Sequence, residues 1–115
     1  MKIIIAGGRE FNDYDLLKSK CDEILRLQTD IEIVSGKARG ADKLGEDYAK
    51  EKGYKIKEFP ADWEKYKKGA GYIRNKKMAE YSEGLIAFWD GKSKGTKSMI
   101  DLAKQHGLKV RVIKY

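Results

Sequence analysis

The chain has 115 residues, enough for one domain with a real core and too few for two. Its apolar runs, Ile3 to Ala6 and Leu85 to Trp89, fall far short of the roughly 20 residues a membrane span needs, and the N-terminal run is shorter than the roughly 7 to 15 residues of a signal-peptide core, so the expected location is the cytoplasm. The formal net charge of +7 is concentrated in residues 37 to 77, where 13 Lys/Arg meet 7 Asp/Glu; such a field attracts a polyanion, whether a nucleotide, a nucleic acid or an acidic protein surface.

Lys2 to Ala6 reads as a buried strand ended by the Gly7-Gly8 turn. Asn12 and Asp13 offer caps for a first helix whose apolar stripe runs through Leu16, Leu17, Cys21, Ile24, Leu25 and Leu27. Ile31 to Val34 is a second strand, ended by Ser35-Gly36, and Ala41 to Lys52 a second helix with Leu44, Tyr48 and Ala49 inward and Gly53 as its stop. Tyr54 to Phe59 is a third strand closed by Pro60, the only proline, and Ala61 to Gly69 is the longest loop. A third helix over about Gly71 to Tyr81, a strand Gly84 to Phe88, a loop Trp89 to Gly95, a fourth helix over about Thr96 to Gln105 and a strand Lys109 to Ile113 complete the chain. The lone Cys21 falls beside the core and cannot form an intrachain disulfide, and His106 falls where a polar ring caps the last helix. No residues group with metal-ligand spacing, and no cofactor is implied.

Five strands alternating with four helices require parallel pairing through right-handed crossovers. The expected fold is α/β: a single domain over 1–115, with a three-layer, Rossmann-like, doubly wound parallel sheet of order 3-2-1-4-5. Ligands of such sheets bind over the carboxyl ends of the strands, and every unusual motif here follows a strand.

After the first strand, Gly7-Gly8-Arg9 either wraps a phosphate beneath a guanidinium or is only a turn. It is neither a complete dinucleotide fingerprint nor a Walker A loop. After the second strand, Ser35, Gly36, Arg39, Gly40 and Asp42 sit together at a helix start. Capping by Ser35 or Asp42 accounts for one of them and leaves Arg39 free for a bidentate phosphate contact. Asp62 and Trp63 follow the third strand and lead to Arg74 and Asn75. After the fourth strand, Ser93, Gly95 and Thr96 are placed to hold a phosphate or ribose, although Asp90-Gly91 also makes an ordinary turn and Thr96 an ordinary N-cap. Trp63, Tyr66 and Trp89 either stack on a base or roof the small core.

Taken together, the pieces Ala-Gly-Gly-Arg-Glu-Phe-Asn-Asp-Tyr at 6 to 14, Ser-Gly-Lys-Ala-Arg-Gly-Ala-Asp at 35 to 42, Phe-Pro-Ala-Asp-Trp at 59 to 63, Arg-Asn at 74 to 75 and Ala-Phe-Trp-Asp-Gly-Lys-Ser-Lys-Gly-Thr at 87 to 96 resemble the YspA-like family of the SLOG superfamily over nearly the whole chain. These are Rossmann-like proteins related to LOG nucleotide hydrolases and to the DNA-processing protein DprA. The resemblance implies binding of nucleotides or nucleotide-derived signals, often in phage-defence or mobile-element settings. Lys37 stands where the family typically has glycine, which alters how closely that backbone approaches a ligand. In LOG-type enzymes an arginine at the start of helix three and a glutamate after a Pro-Gly-Gly-x-Gly-Thr loop cleave an N-glycosidic bond. Arg74 matches the arginine and Gly95-Thr96 the end of the loop, but the glutamate falls at Met99, which cannot act as acid or base. Asp42, Asp62 or Asp90 is left as the candidate replacement beside Arg74.

Three functions compete. The first is binding of a nucleotide or ADP-ribose-like ligand by a sensor domain. The second is N-glycosidic or phosphoribo-hydrolysis of a nucleotide. The third is DprA-like nucleic-acid binding, for which no helix-turn-helix, zinc or RNP-type signature is present. A nucleotide-derived small molecule is the expected partner, with nucleic acid behind it and no membrane; apolar helix faces in relatives make a second copy of the chain a candidate partner as well.

Overall fold

The first strand runs Lys-Ile-Ile-Ile-Ala-Gly, and its three β-branched residues, Ile3, Ile4 and Ile5, are all buried. Burial on both faces marks a central strand of a parallel sheet. In a computed structural model describing residues 1–115 the elements follow as β1 (Lys2–Gly7), α1 (Tyr14–Leu25), β2 (Glu32–Ser35), α2 (Ala41–Lys52), β3 (Lys55–Glu58), α3 (Trp63–Tyr66), a 3-10 turn (Lys67–Gly69), α4 (Ala70–Tyr81), β4 (Gly84–Trp89), α5 (Lys94–Gln105) and β5 (Lys109–Lys114). The five strands form one sheet of order β3-β2-β1-β4-β5, parallel throughout. Ile3 pairs with Ile33 on one side and Gly84 on the other. This is the Rossmann-like arrangement expected from the sequence.

Alternation along the strands divides the core. Ile3, Ile5, Ile33, Ile86 and Phe88 pack with Leu17, Cys21 and Tyr48 of α1 and α2. Ile4, Ala6, Val34, Leu85 and Ala87 pack with Met78 and Ala79 of α4 and Met99, Ile100 and Leu102 of α5. The crossovers therefore change face between β3 and β4, which opens a crevice over the carboxyl ends of β1 and β4. Each fully buried Ile, Leu or Phe contributes about 1.5–3 kcal/mol, and the three central strands share this buried surface with the inward faces of the helices. The edge strands, Lys-Ile-Lys-Glu and Lys-Val-Arg-Val-Ile-Lys, keep their charged side chains exposed, a composition that discourages edge pairing. No helix is long and apolar enough to cross a membrane.

Three local expectations need correction. The stretch Ala61 to Gly69 is not a plain loop: Asp62 accepts a hydrogen bond from the Lys65 N–H and starts α3, which runs through the 3-10 turn into α4. The last helix begins at Lys94 rather than Thr96, because Ser93 is its N-cap. Leu27, expected on the core stripe, is 82% exposed because α1 ends at Leu25 and the chain turns away. His106 does cap α5, with its ring Nδ1 2.9 Å from the Leu102 carbonyl.

Candidate functional site

Two glycine-rich loops are stacked at the carboxyl edge. The Gly8 carbonyl accepts from the Phe11 and Ala41 N–H groups, both at 3.2 Å, tying the loop after β1 to the start of α2. This close approach depends on Gly40, whose φ is 77° and where any β-carbon would strike the backbone of Gly8 and Arg9. Glycine is required there for both reasons.

Within the second loop, neither residue expected to cap α2 does so: the N-cap is Gly40, without a side-chain bond. Ser35 is buried and donates to Glu46 Oε2 at 2.6 Å while accepting from the Lys37 N–H at 3.1 Å. Lys37 has φ of 61°, the left-handed region that favours glycine, and its ammonium lies 3.1 Å from both Glu46 and Glu58. Two carboxylates thus hold a lysine in a backbone state that favours glycine. Arg39 is exposed and pairs with exposed Glu10 at 2.7 Å; a surface pair of this kind contributes about 0–1 kcal/mol, so the guanidinium can exchange partners readily.

The centre of the site is Arg74. It donates from Nη1 to the Gly36 carbonyl and from Nε to Asn75 Oδ1, the latter at 2.9 Å. Arg74 Nη1 and Asp42 Oδ2 lie 2.7 and 2.9 Å from the place a β-carbon on Gly36 would occupy, so both side chains close over this glycine. Asp42 is only 6% exposed. Its Oδ2 accepts from the Ala38 N–H at 3.2 Å, and Oδ1 has no partner in the chain. Burial pushes its carboxyl up to about 6, although the Ala38 N–H, Arg74 and Arg9 all pull the other way. Burial also lowers Arg74, with Asp42 opposing the shift. Neither Arg9 nor Arg74 belongs to any of the chain's eight ion pairs. Asn75, 7% exposed, engages its oxygen with Arg74 and leaves its amide nitrogen without a partner.

The loop after β4 is organised by its own side chains. Asp90 accepts from the Lys92 and Ser93 N–H groups at 2.8 and 2.9 Å, and the Ser93 bond first of all holds its carboxyl below the ordinary range. Ser93 Oγ accepts from the Thr96 N–H at 3.3 Å and lies 3.0 Å from the Thr96 hydroxyl. Trp89 donates its indole N–H to the Ser93 carbonyl at 3.1 Å and packs on the core.

These loops enclose two adjoining clefts. The outer one, about 460 Å³, includes Arg9, Gly36, Lys37, Arg39, Trp63 and Arg74. The inner one, about 640 Å³, takes in Gly7, Gly8, Arg9, Asp42, Trp63, Arg74, Asn75, Asp90, Ser93, Gly95 and Thr96. Of the residues singled out in the sequence, Ser35, Gly40, Asp62, Tyr66 and Trp89 do not line either cleft; they lie in the segments that support it. Among the three candidate aspartates, Asp62 and Asp90 are exposed and bonded to nearby backbone, whereas Asp42 is buried with a free oxygen. Met99 is buried and lines the inner cleft. Tyr72, 55% exposed beside Trp63 at 51%, and Tyr115 also line this cleft and were not expected. Tyr72 lies two residues before Arg74 at the start of a helix, and Tyr115 follows β5, so extending the strand-end rule to the fifth strand finds the latter.

A family model described as the YspA, cpYpsA-related SLOG family matches residues 1–66. The "Gene 61 protein" of Mycobacterium phage D29 is 30% identical over 116 residues, an alignment covering 95% of this chain and 93% of that protein. No solved structure gives a significant match.

Proposed function

Because the chain belongs to the YspA, cpYpsA-related SLOG family, we propose that it binds a nucleotide or nucleotide-derived, ADP-ribose-like ligand at the carboxyl edge of its sheet, as a sensor or ligand-binding domain. The observation that carries this is the convergence of Arg9 and Arg74, neither of them in an ion pair, with buried Asp42 and Asn75 in one cleft rimmed by exposed Trp63 and Tyr72. Guanidinium groups bind phosphate oxygens bidentately, and an exposed indole or phenol ring stacks on a planar base. The similarity to a mycobacteriophage protein supports a phage or mobile-element setting.

Thermal-shift binding against nucleotides, cyclic nucleotides and ADP-ribose derivatives tests the proposal, since a ligand selective for the folded state raises its stability by mass action. A shift in wild type that is lost in Arg9→Ala and Arg74→Ala is the expected outcome. No shift across the panel refutes it and moves nucleic acid to first place, to be titrated at physiological salt.

A hydrolase reading is favoured by one observation: Asp42 combines burial, a raised carboxyl and proximity to an arginine, as acid–base groups do. Product analysis of any nucleotide that binds separates the two, with released base or ribose phosphate marking turnover.

A further inference from the structure

The inner cleft is not built for an anion alone. Arg9 and Arg74 meet the needs of a phosphate, yet beside them lies a carboxylate that is 6% exposed, and burying an ionised carboxylate is unfavourable unless something donates to it. Asp42 Oδ2 has the Ala38 N–H; Oδ1 has nothing. Asn75 Oδ1 has Arg74 Nε; Nδ2 has nothing. The cleft therefore presents one strong acceptor and one amide donor next to a guanidinium, all three held on buried or helical backbone. A ligand complementary to this set carries an anionic group with hydroxyls nearby, one donating to the carboxylate and one accepting from the amide.

We propose that Asp42 and Asn75 read the vicinal diol of a phosphorylated ribose, so that the cleft selects ribonucleotides over analogues lacking those hydroxyls. The proposal rests on the nucleotide-binding reading above and specifies which part of the nucleotide is recognised. Asp42 is faced by Arg74 from α4, by Arg9 from the loop after β1 and by Glu46 from its own helix. Its carboxyl is held at about 6, so it is an acceptor at pH 7.5 and largely protonated at pH 5. Recognition of a diol through the ionised form weakens on acidification.

The experiment is calorimetric titration of the intact protein with AMP and with 2′,3′-dideoxy-AMP at pH 7.5 and pH 5, repeated on Asp42→Asn, which keeps an oxygen for the Ala38 N–H. A hydrogen bond to a charged group corresponds to about tenfold or more in affinity. AMP is therefore expected to bind wild type at least about tenfold more tightly than the dideoxy analogue at pH 7.5. The gap should shrink at pH 5 and fall to within about threefold in Asp42→Asn. Equal affinities in wild type overturn the proposal while leaving nucleotide binding intact. A gap undiminished in Asp42→Asn shows that the carboxylate does not read the ribose and also overturns it. If neither compound binds, the proposal fails, and the nucleotide reading then stands or falls on the wider ligand panel.

Discussion

Replacing Asp42 with asparagine should make the protein more stable at neutral pH. An unfolded aspartate ionises near 3.8, whereas burial raises the folded carboxyl to about 6. Between those values the folded chain holds a proton that the unfolded chain has released, so stability falls as pH rises through this window. The penalty is complete above the folded value and absent below the unfolded one. A shift of about two units at about 1.36 kcal/mol each sets a ceiling near 3 kcal/mol. The asparagine side chain is isosteric with aspartate and can still accept from Ala38, so Asp42→Asn is expected to gain about 1–3 kcal/mol at pH 7.5 and no more than about 0.5 kcal/mol at pH 4. Urea denaturation at the two pH values measures this, and the difference between variant and wild type cancels the other titrating groups. A loss of similar size at both pH values refutes the reasoning, because it would mean that the carboxylate supports the fold. A gain at neutral pH together with weakened ligand binding is the pattern of a functional group kept at a cost to stability.

Other substitutions separate the loops' structural and ligand-facing roles. Gly40→Ala meets both a positive φ and the fixed backbone of Gly8 and Arg9, so it should cost more than about 2 kcal/mol in the same urea assay; a neutral result contradicts the stacked-loop geometry. Gly36→Ala displaces only the ends of the Arg74 and Asp42 side chains, so a stability loss of about 1 kcal/mol should accompany loss of any nucleotide-induced thermal shift; an unchanged shift shows that the ligand does not need Arg74 and Asp42 in this position. Cys21 is fully buried and burial pushes its thiol to about 12, so a thiol reagent at pH 8 should label it only after denaturation, and rapid labelling of the native protein contradicts the packing of α1.

Spacing along the chain was sufficient for the sheet order and for the edge that carries the site. Apolar runs such as Ile3 to Ala6, helical stripes such as Leu17, Cys21 and Leu25, and the glycines after β1, β2 and β4 record local backbone state, and right-handed parallel crossovers leave little topological freedom. Locally bonded groups were half legible: the capping roles of Asp62 and Ser93 follow from bonds to residues three positions on, so α3 and the true start of α5 lay within reach of capping rules. The choice among the three aspartates did not. Asp42 differs from Asp62 and Asp90 because Arg74, 38 residues beyond Gly36, folds back over that glycine and leaves the carboxylate only 6% exposed, on the wall of the cleft. Lys37 stands out in the sequence only as a departure from glycine; its anchoring needs Glu46 on α2 and Glu58 on β3. Trp89 and Trp63, indistinguishable as loop tryptophans, part company when one indole finds the Ser93 carbonyl and the other faces the cleft. Periodicity encodes which face of an element turns inward, whereas desolvation and pairing depend on groups that only the closed chain brings together, and the chemistry of this site lies in those.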